Sequence, residues 1–302
     1  MSVESAEPAE DDLQQAAAVF AEVRGRLFGI AYRMLGSAAD AEDIVQETWL
    51  RWQAYDRGTV DHPGAFLATT ATRLAINVLQ SAHSRRETYV GPWLPEPVDT
   101  SADPQLGAER GEALEFAVLL LLENLSPTER AAYVLREAFD YPYSEIAAII
   151  GGQEAAARQL VSRARKHIGS GRRGSVSSLE QRRLLKAFLA AAQRGDVSEL
   201  EELLAADVVS YSDGGGAVRA ARIPVLGGHR VARFVAAFAD HFWTDTVLTD
   251  VEVNGQPSVL VTRADSPLVL LSMTATADGI GQLMWVMNPA KLARIAAVTR
   301  SA

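Results

Sequence analysis

Up to Gly169 the apolar residues of this chain recur at helical spacing. Beyond it, much of the chain alternates or runs apolar as strands do. Leu13, Ala16, Phe20, Val23, Leu27, Ile30 and Met34 form the stripe of one long helix, which Gly36 ends. Ser37 caps a second helix, with Asp40 three residues on, and its inward stripe is Ala41, Ile44, Val45, Thr48 and Trp52. A loop at 53–62 precedes a third helix opened by Pro63, with Phe66, Leu67, Thr70, Leu74, Val78 and Leu79 inward. Residues 89–104 carry Gly91, Pro92, Pro95, Pro97 and Pro104 and read as an extended linker. Trp93 and Leu94 within it predict docking, because flexible tethers are normally polar.

Helices resume near Glu109. Ser126-Pro127-Thr128-Glu129 is a capping box with proline at the first helical position. A short helix is expected at 144–150 with Ser144 as its cap, then a Gly151-Gly152 turn and a helix at 154–168. On the last, Ala157, Leu160, Val161, Ala164 and Ile168 form the buried stripe. Arg158, Gln159, Ser162, Arg163, Arg165 and Lys166 fall off it and face outward. That order is a helix-turn-helix, whose second helix lies in the DNA major groove.

After a Gly/Ser/Arg hinge, helices are expected at 179–194, 198–206 and 229–242, the last with Val231, Phe234, Val235 and Phe238 inward. Strands are expected at 208–211, 247–253, 258–263, 269–276 and 282–287, with Asp213-Gly214-Gly215-Gly216 as a tight loop. The expected fold is multidomain: two all-α domains followed by an α+β half-barrel, a fold that commonly surrounds an apolar pocket.

Composition sharpens this picture. A chain of 302 residues with 48% hydrophobic content supports two or three folded domains. The absence of cysteine removes disulfides, thiolate metal sites and cysteine nucleophiles, and neither a metal nor a cofactor is expected. The longest fully apolar run, 116–122, is too short to span a bilayer. The acidic start at Glu4, Glu7, Glu10, Asp11 and Asp12 is the reverse of a secretory signal, so a soluble cytoplasmic protein is expected.

Net charge is −9, yet residues 153–179 hold six Lys/Arg against one acid, while 91–152 hold three against eleven. A compact basic face in an acidic chain points to nucleic acid, and the acidic surfaces point to a protein partner. Asp40, Asp43 and Glu47 line one outward face with Arg51 beyond them. Spacing alone leaves that face equally open to being plain solvated surface. Arg73, Asn77 and Gln80, with His83, Arg85 and Arg86 past them, suit unpaired bases or ordinary surface.

With these residues laid out, the chain resembles bacterial RNA polymerase sigma factors of the extracytoplasmic-function class, in the group with a fused SnoaL-like C-terminal domain. The resemblance covers about residues 13–292. RLFGIAYRMLGSAADAEDIVQETWLRW (26–52) is similar to the family's polymerase-binding segment. LSPTERAAYVLREAFDYPYSEIAAIIG with EAAARQLVSRARK resembles its upstream promoter-reading domain. Three further marks are WLPEP at 93–97, DGGG at 213–216 and NPxKL at 288–292. Ala217 and Ala290 stand where the group usually has Lys and Asp, and Gly152-Gln153 lacks the usual Ser or Thr cap.

The resemblance implies roles. Asp40, Asp43, Glu47 and Arg51 would meet a coiled coil on the clamp of the largest subunit of core RNA polymerase. The 53–62 loop with Arg73, Asn77, Arg85 and Arg86 would capture melted minus-ten bases. Arg158, Gln159, Ser162, Arg163, Arg165 and Lys166 would meet the minus-thirty-five element of promoter DNA. Trp93, Leu94 and Pro95, Asp213, Gly214, Gly215 and Gly216, and Asn288, Pro289, Lys291 and Leu292 would form one regulatory network in place of a separate anti-sigma protein. The implied organisation is a disordered 1–12, sigma region 2 at 13–88, a linker at 89–108, region 4 at 109–170, a hinge at 171–178 and a regulatory domain at 179–302.

Two rivals stand beside it. SnoaL-like domains also resemble cyclases and isomerases, with Asp213, His229, Asp240 and His241 as acid/base candidates, though none forms a spaced pair. A small-molecule effector bound without turnover is preferred to catalysis. The second rival, a plain helix-turn-helix repressor, predicts tight salt-dependent DNA binding by the protein alone.

Overall fold

The computed structural model describes residues 7–87, 89–100, 115–171 and 176–299. Helix α1 (Glu7–Leu35) leads into α2 (Ala38–Ala54) and, past a 3₁₀ turn at Arg57–Thr59, α3 (Pro63–Glu87). α1 starts inside the segment expected to be disordered. Pro8 sits in its first turn, where a missing N–H costs nothing. The cap on α2 is as expected: Ser37 Oγ accepts from Asp40 N at 3.1 Å.

Next come α4 (Phe116–Leu122), α5 (Pro127–Phe139), α6 (Tyr143–Ile150) and α7 (Glu154–Gly171). The capping box at Ser126 and Glu129 is complete. The expected cap on α6 is corrected: Pro142 occupies that position and Ser144 lies inside the helix. Gly151, at φ 73°, makes the left-handed turn into α7. The structure packs both helical units on one shared core, in which Phe20, Leu27, Trp52 and Leu67 are continuous with Leu135, Ile146 and Val161. Arg130 stitches the seam, donating to Met34 O at 2.6 Å and pairing with Glu123 at 2.8 Å. Burial pulls its guanidinium down to about 9, so it stays charged near neutrality.

The C-terminal unit contains α8 (Ser178–Arg194), α9 (Val197–Leu203), β1 (Leu204–Asp213), β2 (Val225–Leu226), α10 (Gly228–Ala236) and α11 (Ala239–Phe242). β3 (Thr246–Val253), β4 (Gln256–Arg263), β5 (Ser266–Thr276), β6 (Gly279–Val286) and α12 (Pro289–Thr299) complete it. The helix expected at 229–242 is two helices. The sheet order is β2-β1-β6-β5-β4-β3, antiparallel except for the parallel β1–β6 pair.

Both faces of this sheet are covered, which is why its strands carry apolar residues at successive positions. Leu271, Met273, Leu283 and Trp285 pack with Leu185 and Phe188 of α8 and Val231 of α10. The alternate residues Leu270, Met284 and Val286 pack instead with Leu94 of the linker, Phe116 of α4 and Leu292 and Ile295 of α12. The period of two along a strand thus ties the C-terminal domain to the rest of the chain through its second face.

Candidate functional site

On α2, Asp43 is exposed and Glu47 half-exposed, with the exposed Leu50 one turn on; Asp40 is partly covered. Arg51 pairs with Glu47 at 2.7 Å. Beyond Arg51 the surface dips into an open cavity of about 530 Å³, lined by Arg51, Tyr55, Phe66, Thr69, Thr70 and Arg73. The Tyr55 and Phe66 rings lie 4.5 Å apart. Tyr55 belongs to the 53–62 loop expected to meet melted bases, whereas Phe66 is expected only in the core.

Arg73 is engaged within the protein. Its Nε and Nη2 donate to the carbonyls of Ile149 and Ala148, both at 2.9 Å, at the C-terminal end of α6. That end of a helix has unpaired carbonyls and a negative partial charge, so a guanidinium fits it well. Asn77 is exposed on α3. The side chains of Arg85 and Arg86 lie outside the described residues.

On α7 the buried stripe Ala157, Val161, Ala164 and Ile168 is as its spacing requires, and all six polar candidates are exposed. They are not equally free. Arg158 pairs with Glu154 and lies 4.5 Å from the Tyr143 ring. Arg163 meets Glu129 at 2.9 Å and Arg165 meets Glu137 at 2.7 Å, both acids belonging to α5. Surface pairs of this kind contribute about 0–1 kcal/mol, little enough for a phosphate to displace the carboxylate.

The structure brings the linker, the glycine loop and the C-terminal helix together around Asp213, which is fully buried. Its carboxylate accepts from Tyr89 Oη at 2.6 Å, Leu94 N at 2.9 Å, Gly215 N at 3.0 Å and Lys291 Nζ at 2.7 Å. Lys291 also donates to Leu94 O and lies 4.4 Å from the Trp93 ring. Asn288 caps α12 through Ala290 N, and its Nδ2 donates to Tyr89 Oη at 3.0 Å. Pro289 opens that helix, and Leu292 is fully buried. Gly215 has φ +60°, and a Cβ there would fall 2.2 Å from Asn288 Nδ2, so any other residue would be strained and would displace the Asn288 side chain. Burial, then the bond to Asp213, push the Tyr89 phenol well up from its ordinary value. Ala217 and Ala290 are both exposed, so the hub forms without a charge at either position.

A second contact chain escaped the sequence reading. Glu96 is buried, and its Oε2 accepts from Ala38 N at 2.8 Å, Ala39 N at 3.2 Å and Ser37 Oγ at 3.3 Å, supplementing the α2 cap. Tyr32 Oη donates to Glu96 O at 2.6 Å and accepts from Asn254 Nδ2 at 2.7 Å. Asn254 Oδ1 accepts from Val98 N at 3.0 Å. Asn254 and Gly255, at φ 55° and 70°, make the two-residue turn between β3 and β4. Asn-Gly is a legible hairpin signal, but nothing in it announces the reach to Tyr32.

The acid/base candidates do not converge. Asp213 is committed to the hub, His229 is exposed and bonds Glu201 at 2.7 Å, and Asp240 and His241 are exposed on α11. None of them lines the cavity of about 510 Å³ on the helix-covered side of the C-terminal domain. Among the described residues no cluster of His, Asp and Glu could hold a metal ion, and no helix is long and apolar enough to cross a membrane.

Comparison with known proteins agrees with this arrangement. The Sigma-70 region 2 family matches residues 19–85, and the Sigma-70 region 4 family matches 115–168. The chain is 40% identical over 229 residues to the ECF RNA polymerase sigma factor SigJ of Mycobacterium tuberculosis, covering 74% of this chain and 73% of that protein. It is 34% identical to the probable ECF sigma factor SigI of the same species, covering 83% and 87%. The crystal structure of M. tuberculosis SigJ superposes with a TM-score of 0.74 at 32% identity, over 92% of this chain and 98% of that one. With two sigma helical units, a hub joining them to an α+β domain and a full-length structural counterpart, the chain belongs to the extracytoplasmic-function RNA polymerase sigma factors, which are not enzymes.

Proposed function

We propose that this sigma factor docks on the clamp coiled coil of core RNA polymerase, in the cytoplasm, through the exposed α2 face of Asp43, Glu47 and Leu50. An acidic rim around an apolar residue suits a basic, amphipathic coiled coil. α7 then reads the minus-thirty-five element, with Arg and Gln at base edges and the remaining cations on phosphates. The cavity between Tyr55, Phe66 and Arg73 takes an unstacked minus-ten base on its aromatic wall. Arg73 is held by α6 carbonyls in the free protein, so this capture requires α3 and α6 to separate.

The C-terminal domain acts as a built-in restraint on that separation, in the role a separate anti-sigma protein fills elsewhere. The observation that carries this reading is the Asp213 hub, which clamps the linker between the two promoter-reading units onto the sheet domain. Run-off transcription with purified core polymerase tests both parts. Asp43→Lys with Glu47→Lys abolishes association with core, and Lys291→Met alters promoter output without changing core affinity. Wild-type core affinity in the double variant rules out the α2 face. Unchanged output in Lys291→Met rules out the restraint.

A further inference from the structure

The cavity of about 510 Å³ in the C-terminal domain falls inside the ~300–1,000 Å³ range of small-molecule sites. Five of its eleven lining residues carry aromatic rings: Phe234, Phe238, Phe242, Trp243 and Trp285. Phe242 meets Trp243 and Trp285 edge-on, at 4.8 and 6.5 Å, so the rings stand at right angles around the cavity. Phe238 lies edge-on to Phe234 at 5.1 Å and is 50% exposed. Two lining residues carry polar side chains, Arg219 and Ser212. Among the described residues the exposed guanidinium of Arg219 forms no hydrogen bond or ion pair, and the Ser212 hydroxyl forms no hydrogen bond.

Aromatic walls with an exposed guanidinium and a hydroxyl suit a planar apolar body ending in a carboxylate. We propose that this domain binds such an acid, its ring system between the aromatic walls and its carboxylate on Arg219 and Ser212.

Occupancy reaches the hub by strand alternation. Ser212 lines the cavity while the next residue, Asp213, faces the linker, and Met287 lines it while Asn288 bonds Tyr89. Ala221 of the cavity loop also backs onto Gly91 of the linker. A bound acid therefore braces the wall behind the clamp and disfavours its release, a step that rests on the restraint proposed above.

The test uses the full chain and 1-pyrenebutyrate, followed by its own fluorescence, with the neutral 1-pyrenebutanol as comparator. Saturable binding is expected, with the acid favoured roughly tenfold over the alcohol. Arg219→Gln erases that preference and leaves alcohol binding intact, while Arg219→Lys keeps most of it. At a concentration that saturates the wild type but not Arg219→Gln, pyrenebutyrate lowers run-off transcript from the holoenzyme by roughly fivefold in the wild type and less in the variant. Any one of four results overturns the proposal: no saturable binding below about 1 mM, equal affinity for acid and alcohol, an undiminished preference in Arg219→Gln, or unchanged transcript at saturation. A chain that yields no transcript with core polymerase at all instead fails the sigma reading, and the binding measurements stand apart from it.

Discussion

Lys291 Nζ lies 2.7 Å from Asp213 Oδ2, with Asp213 fully buried and the lysine side chain 11% exposed. The pair is asymmetric. Without Lys291, Asp213 keeps three donors, from Tyr89, Leu94 and Gly215. Without Asp213, Lys291 loses its buried carboxylate, while its bond to Leu94 O and its contacts with the Trp93 and Tyr89 rings remain. Asp213→Ala is expected to cost roughly 3–5 kcal/mol, as removing one partner of a buried pair does. Lys291→Met, which preserves the apolar stem over Trp93, costs about 1–3 kcal/mol. Denaturant unfolding of the two variants measures this, and equal losses would contradict the arrangement.

Asn254→Gly separates the turn from the contact. Glycine keeps the left-handed conformation and removes the side-chain bonds to Tyr32 Oη and from Val98 N. The expected loss is about 1–3 kcal/mol. Hydrogen exchange at Val98 should accelerate while the β3–β4 ladder stays protected; unaltered protection at Val98 argues that the bond contributes nothing.

Glu137→Gln releases Arg165 from its surface pair. Stability should stay within about 0.5 kcal/mol. Promoter binding by the holoenzyme should strengthen several-fold at low salt, because one competing carboxylate is gone. Unchanged affinity in a filter or fluorescence assay would show that Arg165 does not meet DNA.

Alkaline titration should open the interdomain contacts. Burial, first among the causes, raises both the Tyr32 and Tyr89 phenols above their ordinary value of 10.0. Above pH 10 the unfolded chain loses these protons while the folded chain keeps them, so the folded state binds more protons and stability falls as pH rises. The contribution is fully present below pH 10 and is lost as pH climbs toward the folded values. Tyr89→Phe should flatten this slope, and an identical slope in the variant would exclude Tyr89 as its source.

Local patterning was legible where a helix or strand has one buried face. The stripes of α2 and α7, the capping box at Ser126 and the strands of the sheet follow from period and cap chemistry, which act within a few residues. The cap of α6 is not legible locally, because Pro142 takes the position that Ser144 also suits. The residue types in WLPEP, DGGG and NPxKL marked those segments, yet their bonds are not local. Asp213 meets Tyr89 across 124 positions and Asn254 meets Tyr32 across 222. A sequence carries periodicity and capping in neighbouring residues. Which exposed arginine is already bonded, as Arg73 is and, among the described residues, Arg219 is not, depends on which carbonyls and carboxylates folding brings within 3 Å.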